Sequence, residues 1–211
     1  MEEFCRIYWY PLFAAARRHG LMPEDACDAV QELFEGLLAR DSLRRADPRR
    51  GRLRTWLLTM LNNHLCDRDR AARAEKRGGG RLPFVLDSIA AETAWQNDPA
   101  LHDDPAVAWR RNLAAALLDE AVEALAAFYL AAGKEALFNA LLPALEGPLP
   151  ESTYEQTAAQ LNTTGRALRM AVLRLRERFR KVLREKAAAA LRVTDGPALD
   201  AELRDLFSGP P

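Results

Sequence analysis

The sequence predicts an all-α protein: two small helical domains joined by a linker, the second containing a helix-turn-helix. Three observations lead there. No stretch shows the sustained alternation of apolar and polar residues, rich in β-branched side chains, that marks a strand. Apolar residues instead recur at three- and four-residue steps through most of the 211 residues. Across 78–107 that pattern lapses into Gly78, Gly79, Gly80, Pro83, Pro99 and Pro105 among scattered acids, the composition of a connecting segment.

The elements follow in order. A first helix is predicted over 3–19, stopped by Gly20. A second covers 23–40, with Pro23 at its first position and Glu24 and Asp25 in its first turn, where carboxylates suit the positive end of the helix dipole. A turn at Asp47 and Pro48 precedes a long helix from Leu53 to Lys76. Beyond the linker, helices are predicted over 108–131 and 134–145, then a break at Gly147, Pro148 and Pro150, and a helix pair over 153–161 and 164–189. A short amphipathic helix, about 197–207, lies in the tail, with Leu199, Leu203, Leu206 and Phe207 expected to pack on the second domain in preference to the alternative, binding a regulator. The domains are thus 1–77, an acidic Pro/Gly linker 78–107, 108–190 and a tail 191–211.

The formal net charge is zero, yet charge is far from even. Residues 40–77 carry 12 basic and 5 acidic side chains, and residues 164–186 carry 9 and 2. The rest of the chain is acidic, so two local positive fields stand apart in the sequence. A helical adaptor with no nucleic-acid role does not need them.

In the second helix, Cys27, Val30, Leu33, Phe34, Leu37 and Leu38 form one apolar stripe. Asp25, Asp28, Glu32 and Glu35, separated by three, four and three residues, share another face beside Gln31. No basic residue precedes Arg40 on this helix, so intrahelical pairs do not explain the acids. A basic partner surface would.

The loop before the long helix holds Arg44, Arg45, Arg49, Arg50, Arg52 and Arg54, guanidinium forks suited to phosphates. The helix itself buries Leu53, Trp56, Leu57, Met60, Leu61 and Leu65 and turns Asn63, Asp67, Arg70 and Arg73 outward. Asn and Arg can pair with base edges, and Asp67 can accept from a base amino group or orient a neighbouring Arg. His64, beside the apolar stripe, reads as structural.

Near the C-terminal end, Ser152 and Glu155 have capping-box spacing, which marks a helix start. Asn162, Thr163 and Thr164 form a turn whose hydroxyls can cap the next helix. That helix buries Leu168, Val172, Leu175, Phe179, Val182 and Leu183 and is ringed by arginines. A short helix, a tight turn and a basic second helix make the unit that reads a major groove with its N-terminal part. Thr164, Arg166, Arg169, Met170, Leu173 and Arg174 are the expected contacts, with the later arginines facing phosphates or solvent.

Other classes are disfavoured. No run of 18 apolar residues exists to span a bilayer, and the first residues do not form a secretory signal. Cys5, Cys27 and Cys66 are scattered, and His19, His64 and His102 lie far apart, so no metal site, cofactor or disulfide is expected. The carboxylates line one outward helix face instead of converging on a metal, and no nucleophile–base pair is visible, so no enzyme is expected.

These residues together resemble the extracytoplasmic-function (ECF) sigma factors. The stretch from Pro23 to Phe34 is similar to the family's polymerase-binding helix, with its D-x-x-Q-E core at Asp28, Gln31 and Glu32. Trp56 and Leu57, followed by Asn63, Asp67 and Arg70, are similar to its W-L…N-x-x-x-D-x-x-R signature. The resemblance implies a cytoplasmic transcription initiation factor. Asp25, Asp28, Gln31, Glu32 and Glu35 would dock on core RNA polymerase. Arg49, Arg50, Arg52, Arg54, Asn63, Asp67, Arg70 and Arg73 would hold the melted −10 element. Thr164, Arg166, Arg169, Met170, Leu173 and Arg174 would read the −35 element. Promoter DNA and an anti-sigma factor or other regulator are the further partners it implies. Met22, Gly165, Arg166, the length of 112–152 and the tail depart from the family pattern. The principal rival is a one-component helix-turn-helix regulator, which needs neither the acidic stripe nor the Arg-rich loop.

Overall fold

The computed structural model describes residues 2–39, 42–45, 51–74 and 88–208. Every regular element among them is helical. In chain order these are α1 (Glu2–Arg18), α2 (Pro23–Ala39), α3 (Ser42–Arg45), α4 (Leu53–Ala74), α5 (Ser88–Gln96), α6 (Pro105–Ala131), α7 (Glu135–Leu141), α8 (Glu151–Gln160), α9 (Gly165–Leu191) and α10 (Gly196–Phe207). A 3-10 turn at Leu142–Leu145 extends α7. Apart from α3 and α5, which the periodicity does not predict, the helix boundaries lie within a few residues of the expected ones. Gly20 ends the first helical segment at φ 90°, a left-handed conformation that glycine adopts without Cβ strain.

The chain divides into two compact units, and their boundaries differ from the predicted ones. The first comprises Met1–Ala116 and Ala187–Pro211, the second Leu117–Lys186. The core of the first unit is set by α1, α2 and α4. Ile7, Tyr8, Leu12, Phe13, Val30, Phe34, Leu57 and Leu61 are all essentially inaccessible. Fully burying each large apolar side chain contributes about 1.5–3 kcal/mol, so this set dominates the unit's stability. Leu38, expected in the same stripe, is instead 40% exposed near the end of α2.

Much of the predicted linker is part of this unit. Residues 88–96 form α5, which lies against α1 and α2. Arg17 holds Glu92 through two hydrogen bonds of 2.9 and 3.0 Å, and the Arg18 guanidinium stacks 4.8 Å from the centre of the Trp95 ring. Just beyond α5, the buried Asp98 accepts from Tyr10 Oη at 2.9 Å, Asn112 Nδ2 at 3.0 Å and the Ala100 amide at 2.8 Å. Burial, then this hydrogen bond to Asp98, pushes the Tyr10 hydroxyl well above its usual pKa. The acids that suggested a solvated linker are therefore in large part its anchors.

The tail also belongs here, where the sequence suggested the second domain. Tyr8 donates to the Ala190 carbonyl at 3.3 Å, and Leu199 and Leu206 of α10 are buried. Phe207, expected on the same packed face, is 41% exposed.

The second unit packs α7, the 3-10 turn, α8 and parts of α6 and α9 around Leu125, Tyr129, Phe138, Leu141, Ala158, Leu168, Val172 and Leu175. The helix pair forms as predicted, but without the capping box. Pro150 occupies the N-cap of α8 with no side-chain cap, and Ser152 falls inside the first turn. Thr164 does cap α9, its Oγ1 accepting from the Ala167 amide at 3.2 Å. Between the two helices Asn162 takes φ 50°, a left-handed conformation that asparagine tolerates better than most residues.

Candidate functional site

Three surfaces carry the residues singled out from the sequence. The first is the acidic face of α2. Asp25, Asp28 and Glu32 are exposed, and Gln31 and Glu35 are half-buried at its edge. Burial raises the Cys27 thiol to about 11, and the charges of Asp28, Glu24 and Glu92 push it the same way, a sign of the negative field around this helix. Part of the field is neutralised from α4, which sequence reasoning missed. Arg68 Nη1 lies 2.9 Å from Glu32 Oε1, Arg68 Nη2 3.9 Å from Asp25 Oδ1, and His64 Nε2 3.0 Å from Glu32 Oε2. Neither Arg68 Nη1 nor His64 Nε2 meets hydrogen-bond geometry, so the Arg68 contacts are Coulombic and weakly directional. Helical spacing held the signal: His64 and Arg68 are four apart and share a face of α4. Among the described residues, Asp28 and Glu35 have no hydrogen-bond or ion-pair partner.

The second surface is α4. Asn63, Asp67 and Arg70 are exposed along one side of the helix, and Arg70 donates to Asp67 at 3.0 Å, so Asp67 orients this guanidinium. Trp56 and Met60 are only partly buried, whereas Leu53, Leu57, Leu61 and Leu65 form the packed stripe. Arg49 and Arg50 lie outside the described residues, as do the side chains of Arg44, Arg45 and Arg73. Arg52 and Arg54 depart from the expectation of free phosphate contacts. Arg54 is turned inward, 4% exposed, and both arginines are paired with Glu202 and Asp205 of α10. The cause is the opposite charge of the tail, whose pairing with this site the local pattern could not reveal.

The third surface is the start of α9. Arg166, Arg169, Met170, Leu173 and Arg174 all point to solvent, with Met170 46% and Leu173 57% exposed, alongside the exposed cap Thr164. Large apolar side chains left in water beside arginines suit a partner that offers both apolar and phosphate groups. Arg169 is engaged within the unit, pairing with Glu151 and lying 5.4 Å over the Tyr154 ring. Among the described residues Arg166 and Arg174 have no side-chain partner. Of the later arginines, Arg176 does not face solvent as expected. It donates to the carbonyls of Ala144 (2.9 Å) and Gly147 (2.8 Å) and so holds the segment leading to α8. Arg178 lies 3.7 Å over the Phe128 ring.

No group of residues able to hold a metal ion occurs among those described, and no described helix is long and apolar enough to cross a membrane. The three surfaces belong to a protein whose described regular elements are all helical. Residues 10–75, which span α2 and α4, match the model of the family Sigma-70 region 2. The match is confined to this segment and is a likeness of these residues to that region. No match to a curated protein or to a solved structure is found.

Proposed function

We propose that this chain is an ECF-type sigma factor that binds core RNA polymerase, directs it to promoter DNA and takes part in melting it. One observation carries the reading above the others. The segment matching Sigma-70 region 2 contains both an exposed carboxylate face on α2 and an exposed Asn63–Asp67–Arg70 face on α4. The first face would dock on polymerase through Asp25, Asp28, Gln31, Glu32 and Glu35. The second, with Arg49, Arg50, Arg52, Arg54 and Arg73, would hold the non-template strand of the −10 element with a base drawn from the stack. Extruding a base costs a few kcal/mol, roughly, which polymerase binding helps to offset. The pair α8–α9 would act as a helix-turn-helix that reads the −35 element through Thr164, Arg166, Arg169, Met170, Leu173 and Arg174. Such a factor works by binding, carries no catalytic residue and acts in the cytoplasm, where an anti-sigma factor or other regulator would silence it.

The test is run-off transcription from genomic promoter fragments with purified core polymerase. Discrete transcripts are expected only when the chain is added. Tight sequence-specific binding to duplex DNA without polymerase, with no transcript, would favour the one-component regulator. Arg174→Ala is expected to reduce discrimination at one base position by about 1–3 kcal/mol, read from transcription of promoters mutated base by base. Equal losses on all promoters would make Arg174 a phosphate contact instead.

A further inference from the structure

Glu202 and Asp205 lie three residues apart, on one face of α10. Each contacts both arginines at the start of α4. Arg52 Nε stands 2.7 Å from Glu202 Oε1 and Arg52 Nη1 2.7 Å from Asp205 Oδ2. Arg54 Nε stands 3.0 Å from Glu202 Oε2, and its Nη2 meets Asp205 Oδ2. Two guanidiniums and two carboxylates thus form a crossed network. Burial pushes the Asp205 carboxyl up, but its hydrogen bond to Arg54 and the charges of Arg54, Arg52 and Arg110 outweigh this and hold it below the usual value.

A guanidinium fork takes a carboxylate and a phosphate with the same planar, two-pronged geometry. The carboxylates of α10 therefore stand where backbone phosphates of a nucleic acid would bind. We propose that α10 is an autoinhibitory element that occupies the Arg52–Arg54 site and must leave before that site can hold DNA. The proposal rests on the reading of these arginines as phosphate contacts.

Three further features fit an exchangeable occupant. The apolar seat of the helix is small: Leu199 and Leu206 are buried, Leu203 is half-buried and Phe207 is 41% exposed. The segment joining α9 to α10 is a break in helical structure, with Arg192 at φ 55°, an uncommon conformation for a residue other than glycine. The two arginines also differ in access. The Arg54 side chain is 5% exposed and that of Arg52 is 44% exposed, so Arg52 offers incoming phosphate a first contact while the clamp is still closed. A tethered competitor needs little intrinsic affinity, because its effective concentration is in the millimolar range, roughly, for a short linker.

The test compares binding of a fluorescent single-stranded oligonucleotide by the full chain and by the double variant Glu202→Gln, Asp205→Asn. The variant is expected to bind at least about fivefold more tightly, and its log affinity to fall more steeply with log salt by about 1.4, two contacts at about 0.7 each. Adding Arg52→Gln should remove about half of the gain, one of the two contacts. Glu135→Gln with Glu146→Gln, which changes net charge equally at two exposed positions of the second unit, should give no such gain. If the double variant unfolds, Glu202→Gln alone carries the comparison, with a smaller gain expected. A folded variant that binds no better than the parent, or a gain that Arg52→Gln leaves undiminished, overturns the proposal. Run-off transcription by the parent chain and the double variant in parallel separates the two readings. Transcripts without a variant gain leave the sigma-factor function standing and refute the clamp, whereas a lack of transcripts from parent and variant alike removes the reading on which the clamp depends.

Discussion

Replacing Asp98 with alanine is expected to destabilise the first unit by about 3–5 kcal/mol, the cost of removing one partner from a buried charged network. The Asp98 side chain is 3% exposed, and its Oδ2 accepts from both Tyr10 and Asn112 while Oδ1 accepts from the Ala100 amide. Arg18 Nη2 stands 3.8 Å away and also donates to the Ala100 carbonyl. Alanine would leave two side-chain donors and a backbone amide unmatched and a guanidinium, whose Nε already lacks a hydrogen-bond partner, without its countercharge. Asp98→Asn keeps an acceptor oxygen in place and is expected to lose less than half as much. Urea denaturation followed by tryptophan fluorescence reads this unit selectively, because Trp9, Trp56, Trp95 and Trp109 all lie within Met1–Ala116. An unchanged midpoint for the alanine variant would mean that water replaces the carboxylate at no cost and that α5 is held by other contacts.

That network also marks where the sequence stopped being legible. Helices came through because a 3.6-residue apolar period is a local property, strong enough to carry α1 across Pro11, whose ring is buried within the helix. The exposed faces of α2, α4 and α9 came through for the same reason, since a face is fixed once the period is known. The linker and the tail were misplaced because their anchors are not local. Tyr10 reaches Asp98 across 88 positions, Arg17 reaches Glu92 across 75, and Arg54 reaches Asp205 across 151. An acid in a Pro-rich segment reads as solvated until its arginine is known. Arg54 and Arg176 show the converse: a basic residue in a basic block reads as a ligand contact, although one is held by carboxylates and the other by carbonyls.

Reversing the charge at Asp28 is expected to weaken binding to core RNA polymerase about a hundredfold, or about 3 kcal/mol, the scale of a like-charge clash at an interface. Asp28 is a cleaner probe than Glu32, though both lie on the proposed docking face. Glu32 faces Arg68 and His64, so an arginine there would break two contacts between α2 and α4 and set two guanidiniums together. Loss of polymerase binding by Glu32→Arg would then report damage to the helix pair as readily as damage to an interface. Asp28 is exposed and makes no side-chain hydrogen bond or ion pair among the described residues, so Asp28→Arg should leave stability within about 0.5 kcal/mol of the parent. Fluorescence anisotropy of labelled chain titrated with core polymerase measures the affinity, and the tryptophan denaturation curve checks the fold. If Asp28→Arg binds polymerase like the parent while keeping its midpoint, the acidic face of α2 is not the docking surface. The exposed start of α9 in the second unit would then be the next place to look for the polymerase contact.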